Sequence, residues 1–122
     1  VALLEADEPA VRRAGLYALG MMGPAAAEVL PVVRKAALQG PSAEQGLAAW
    51  AALHIDGSAE RQAELVPLLI ARGQTEPPAV VVKVIEFLAE IAPQREDVRA
   101  FLQSESKNAD PAIRAAAAAA LN

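Results

Sequence analysis

The sequence predicts an all-α protein, a right-handed solenoid of paired antiparallel helices about three and a half units long. Three observations carry this expectation. A short phrase recurs, first as Asp7-Glu8-Pro9-Ala10-Val11-Arg12 and last as Asp110-Pro111-Ala112-Ile113-Arg114. Between these copies stand Glu76-Pro77-Pro78-Ala79-Val80 and a degenerate Pro41-Ser42-Ala43-Glu44. The equivalent positions Pro9, Ser42, Pro78 and Pro111 are spaced by 33, 36 and 33 residues. Such a period marks stacked helical units, none of which can bury its own apolar face. Second, the chain is 54% hydrophobic but only 3% aromatic, and alanine makes up about a quarter of it. Alanine combines the best helix propensity with no bulk, so helices lined with it can approach closely. Third, β-branched clusters such as Val32-Val33 and Val80-Val81-Val82 lie inside longer patterns of helical period, and no sheet is expected.

The elements follow in order. Val1 to Ala6 has the pattern of the last turns of a helix. Asp7, Glu8 and Pro9 open the next, because acidic residues suit the positive end of a helix and proline is tolerated in its first turn. Val11, Ala14, Ala18, Leu19 and Met22 recur at steps of three and four and predict its buried face. Gly23-Pro24 ends it, a partner runs from Ala25 to Leu38, and Gly40-Pro41 punctuates. Ser42 is expected to cap a helix carrying Leu47, Trp50, Ala51 and Ile55. Asp56-Gly57-Ser58 turns the chain into a helix from Ala59 to Arg72. A third pair runs from Pro77 to Ile91 and from Gln94 to about Ser104, and a last helix from Asp110-Pro111 to Leu121. The units therefore cover about residues 7–40, 41–75, 76–109 and a partial 110–122. Leu19, Leu88 and Trp50 are expected in the core, as are Tyr17 and Trp50 as a pair one period apart.

Composition excludes several classes. With no cysteine there are no disulfides and no thiolate metal sites, and the compartment stays open. A net charge of −4 lacks the basic stripe that nucleic-acid binding requires. No apolar run reaches the roughly 18 residues of a membrane span, so no membrane contact is expected. The chain begins with valine rather than methionine, so it is expected to be a piece of a longer protein. Its apolar ends, Val1, Leu3 and Leu4 at one side and Ala115–Ala120 at the other, would then lack neighbours and favour end-to-end self-association.

Paired helices that open with Asp/Glu-Pro-Ala-Val-Arg and continue with Ala18-Leu19-Gly20 and Met22-Gly23-Pro24, then Leu30-Pro31, resemble HEAT repeats. The likeness is greatest to short HEAT-like units of bacterial proteins and phycobilisome-lyase-type repeats. It spans essentially the whole chain, is strongest in the first and last units, and weakens where Glu44, Val81 and Val82 stand in the arginine-bearing segment. The resemblance implies an armadillo-like helical scaffold, and arginines Arg12 and Arg114 that pair with acids at repeat starts, here Asp7 and Asp110. It also implies a concave binding surface lined by the second helix of each unit, kinked at the matched prolines Pro31 and Pro67.

No constellation for catalysis stands out. His54 is the single histidine, and Asp56 is its neighbour only in sequence. Glu60 and Glu64 share a helix face, but such carboxylates are ordinarily solvated. Gly20-Met21-Met22-Gly23 is a helix ending rather than a phosphate loop. No catalytic residue, cofactor or metal is therefore expected. The candidate partner-binding residues are the outward positions of the second helices: Glu28, Arg34, Lys35, Arg61, Glu64, Arg72, Arg95 and Arg99. Their alternating signs suit a protein partner, or another domain of the parent chain, better than a phosphate backbone. The expected function is a non-catalytic scaffold for protein–protein or interdomain contacts. The alternative is a HEAT-like accessory domain of an enzyme, of lyase type or fused to a hydrolase.

Overall fold

A computed structural model describes residues 7–122. The helix ending expected over Val1–Ala6, and the apolar surface expected at Val1, Leu3 and Leu4, lie outside the described residues. The chain divides into two compact units, residues 1–69 and 70–122. Among the described residues all regular structure is helical.

In the first unit, α1 (Pro9–Met22) leads through a 3-10 stretch (Gly23–Val29) into α2 (Leu30–Gln39), followed by α3 (Ser42–Ile55) and α4 (Ala59–Gly73), whose residues from Ile70 on belong to the second unit. The break after α1 is set by Gly23, whose φ of 59° is the one positive value among the described residues. Side chains with a Cβ avoid that region, and glycine does not. The Pro9–Gln39 stretch of 31 residues is long and apolar enough to cross a membrane by length and composition. The turn at Gly23–Val29 interrupts it, however, and both flanking helices lie against α3. The expected partner helix from Ala25 thus starts only at Leu30, and this relocates Pro31. It stands in the first turn of α2, where its missing N–H has no helical partner to lose. Only Pro67 is interior to a helix. Its matched position is therefore not a shared kink, and the two prolines act differently. Pro67 and Ala63, whose carbonyl loses its N–H partner, are both exposed, so water can hydrate that oxygen.

The core of this unit is Leu16, Val33, Ala37, Ala48, Ala49, Ala51, Ala52, Leu53, Ile55, Leu65, Val66 and Leu69. α3 is buried on almost every side, with seven of its 14 residues inaccessible, which is why it is built from alanine. The buried face of α1 is Gly15, Leu16 and Gly20. The expected face is rotated: Ala14, Ala18 and Met22 are exposed, while Val11 and Leu19 are half-buried. The cause is the neighbour. α1 packs on α3, and the six-membered ring of Trp50 lies where a Cβ on Gly20 would stand, so Gly20 rather than Leu19 faces the partner helix.

The second unit contains α5 (Pro78–Ile91), α6 (Glu96–Glu105) and α7 (Pro111–Leu121). α7 lies against both α5 and α6, as α3 does against α1 and α2. Val81, Ile85, Leu88, Ala92, Val98, Phe101, Leu102, Ile113 and Ala117 form its core. Leu88 is fully inaccessible, as its place in the repeat predicts. In α7 the alanine run splits by face: Ala117 is buried and Ala116 and Ala120 half-buried, while Ala115, Ala118 and Ala119 are exposed. Asp110 caps this helix, its Oδ1 accepting from the Ala112 N–H at 2.9 Å and the Ile113 N–H at 3.2 Å. Ser42 does not cap α3. It is the first helical residue, Pro41 occupies the cap position, and no side chain bonds the free N–H groups there.

Candidate partner-binding surface

The second-helix charges of the first unit do not all point freely into water. Arg34 on α2 grips Glu64 on α4 with both prongs of its guanidinium, Nε to Oε1 at 2.8 Å and Nη2 to Oε2 at 2.5 Å. Glu64 Oε1 also accepts from Arg61 Nη1 at 2.7 Å. Arg61, only 7% exposed, reaches on to Glu60 and to Asp56. The turn before α4 is tied to the same cluster. Ser58 N–H donates to Asp56 Oδ1 at 3.0 Å, and Ser58 Oγ accepts from the Arg61 N–H at 3.3 Å, a helix cap.

These bonds set the charge states. Hydrogen bonding from Arg34 holds the Glu64 carboxyl below its usual range, helped by the charges of Arg34 and Arg61 and opposed by burial. Asp56 is lowered chiefly by the Ser58 N–H. Arg34 is raised in turn by its bond to Glu64. Three of the expected partner-binding residues, Arg34, Arg61 and Glu64, therefore come together as one intramolecular ion-pair network. Glu60 and Glu64, four residues apart on one helix, both clasp Arg61.

The other candidates separate into three kinds. Arg95 is engaged locally, bidentate to Asp97 at 2.9 and 3.0 Å, which lowers the Asp97 carboxyl. Arg72 is half-buried, and its Nε is shielded from solvent without a hydrogen-bond partner among the described residues. Glu28, Lys35 and Arg99 are exposed, and none lies within ion-pair distance of an opposite charge among the described residues.

Two arrangements differ from the sequence reading. Arg12 pairs with the carboxylate of Glu44, not of Asp7. Its Nε and Nη2 bond Glu44 Oε1 and Oε2 at 2.8 and 3.0 Å, while Asp7 accepts from Nη1 through its backbone carbonyl at 2.9 Å and adds the attraction of its charge. Glu44 is 4% exposed, and the Arg12 bond keeps its carboxyl lowered against the opposing effect of burial. The degenerate second copy of the phrase thus lost its arginine position but supplies the acid. Arg114 instead donates to the carbonyls of Asn108 and Ala109, at 3.0 and 2.8 Å, while Asp110 serves its own helix.

The second is a ladder of rings. Tyr17 and Trp50 stack at 5.6 Å with planes 8° apart, and His54 lies 4.7 Å beyond Trp50. Tyr17 is 55% exposed and Trp50 half-buried, so the expected core pair is a surface feature. The readable signal was Gly20, a gap on α1 that accepts a large ring from the next first helix.

An open groove of about 600 Å³ lies where α1, α2 and the start of α3 meet. Leu16, Pro31, Val32 and Ala36 supply apolar lining, Lys35 a cation, and the Arg12–Glu44 pair also lines it. No group of three or more metal-ligating side chains is found among the described residues. Comparison with protein-family models, with curated proteins and with solved structures finds no match to this chain.

Proposed function

We propose that this chain is a non-catalytic helical-repeat scaffold, a right-handed solenoid of HEAT-like units. It binds another protein, or another domain of its parent, through its second helices. The observation that carries the reading is contact at one repeat period. Tyr17 stacks on Trp50, 33 residues on, and Arg12 clasps Glu44, 32 residues on. Positions about one period apart on successive units meet, as expected where each repeat contacts its neighbour. On this reading the chain uses no metal or cofactor and contacts neither nucleic acid nor membrane.

Charge reversal of the three unpaired residues tests the proposal. A Glu28→Lys, Lys35→Glu, Arg99→Glu variant should fold as the wild type does and lose a partner that the wild type captures and cross-links. Arg13→Glu, on the first helix, should retain it. Glu64 is left out because its reversal would break the Arg34–Arg61 network. Tight duplex binding with a steep salt dependence would overturn the reading.

The enzyme-accessory alternative has one specific observation in its favour, the Tyr17–Trp50–His54 ladder. It offers the cluster of aromatic and histidine rings that handling a planar pigment would need, although on first helices. Titration with a linear tetrapyrrole, followed by Trp50 fluorescence, tests it; unchanged emission removes it.

A further inference from the structure

We infer that the groove beside Lys35 is a docking site for a protein segment that presents an aliphatic side chain next to a carboxylate. The inference rests on the protein-binding reading above and names the part of the partner that is recognised. Its volume, about 600 Å³, falls within the roughly 300–1,000 Å³ of ordinary ligand clefts. Its lining combines two chemistries. Leu16, 2% exposed, lies deep, and Pro31, Val32 and Ala36 add apolar surface that remains partly open to water. Val32 is 37% exposed. An aliphatic side chain placed here would remove apolar surface from water on both partners.

Charge selects what accompanies that side chain. The groove holds three charged residues, Arg12, Lys35 and Glu44. Arg12 and Glu44 neutralise each other through two hydrogen bonds, which also fixes the wall they contribute. Lys35 is exposed and has no carboxylate within ion-pair distance among the described residues. The groove therefore carries one uncompensated positive charge beside an apolar floor, within a chain of net charge −4. A carboxylate adjacent to the anchoring side chain complements it, and a cation there is repelled.

Amide chemical shifts of the whole chain, titrated with two blocked dipeptides, test the assignment. The probes are acetyl-leucyl-glutamate amide and acetyl-leucyl-lysine amide. The first should shift the amides of Val32, Lys35, Ala36 and Gly40 saturably, and the second should bind there roughly two- to five-fold more weakly, the reach of one exposed ion pair. Lys35→Glu should reverse that order, and Val32→Ser should weaken both while the melting transition is unchanged. Equal affinity for the two dipeptides, or no saturable shift at millimolar concentration, overturns the groove. Saturable shifts confined to other residues, such as Tyr17 and Trp50, overturn the groove and leave the scaffold reading standing. Partner capture is read separately with a Glu28→Lys, Arg99→Glu variant that leaves Lys35 in place, so failure of the groove and failure of the scaffold reading are distinguishable.

Discussion

The first and last copies of the repeated phrase, at α1 and α7, are nearly identical in sequence and do different work. In α1, Arg12 reaches out of its own helix to Glu44 on α3, and the helix buries Gly15, Leu16 and Gly20. In α7, Arg114 turns back to the carbonyls just before its own helix, and the helix buries Ile113 and Ala117. The cap differs too. Asp110 accepts two backbone N–H groups, whereas Glu8 at the matching cap of α1 makes no side-chain bond. The difference lies in what each helix packs against: α1 on the following α3, α7 on the preceding α5 and α6. A shared phrase specifies a helix start; the neighbour selects its buried face.

The largest test of that contrast is truncation at the matched pair Leu16 and Ala118, which occupy equivalent positions 102 residues apart. Leu16→Ala should cost about 2–5 kcal/mol in chemical denaturation, because it opens a cavity at a position that is 2% exposed. Ala118→Ser, on an exposed face, should stay within about 0.5 kcal/mol. Similar losses at both would mean that the two copies bury the same face.

Gly20→Ala comes next. Helix propensity favours alanine by about 1 kcal/mol, but the added methyl overlaps the Trp50 ring, and overpacking typically costs about 1–3 kcal/mol. The net is expected to be destabilising, with altered Trp50 emission as the Tyr17 stack shifts. Trp50→Leu in the same chain should remove the penalty; a Gly20→Ala protein of raised stability and unchanged emission would contradict the close approach.

The caps supply a smaller contrast. Asp110→Ala should cost about 1 kcal/mol, and Glu8→Ala close to nothing, by the same denaturation measurement.

The gentlest perturbation is acid. The folded Glu44 carboxyl is lowered by its bond to Arg12, so the stability it contributes is present above the usual carboxylate range near ~4.3 and is lost as pH falls through the folded value. Glu64, Asp56 and Asp97 act in the same direction. Glu44→Gln should therefore flatten the decline of stability between neutral pH and about pH 3, and Arg114→Gln should leave that slope unchanged, since its partners are carbonyls that do not titrate. An unaltered slope in Glu44→Gln would show that the Arg12 clamp is not formed in solution.

Much of the local structure was legible because its causes are local. Pro9, Pro78 and Pro111 mark helix starts since a first-turn N–H has no partner to lose, and Gly23 marks an ending since only glycine takes its backbone angle without strain. The position of Leu88 in its repeat was enough to place it in the core. Side-chain partnerships were less legible. Arg34, Arg61 and Glu64 look like solvated charges on separate helices, and nothing in their spacing says that they meet.

The sequence by itself determined the helical character, the element order and the period, because propensity, caps and apolar spacing act within a few residues along the chain. Only the tertiary structure decided which face of α1 is buried, that the carboxylate of Glu44 rather than that of Asp7 receives Arg12, and that the Tyr17–Trp50 pair lies at the surface. Those outcomes depend on which helix lies alongside and on where its large and small side chains fall, and a helical period leaves that rotation open.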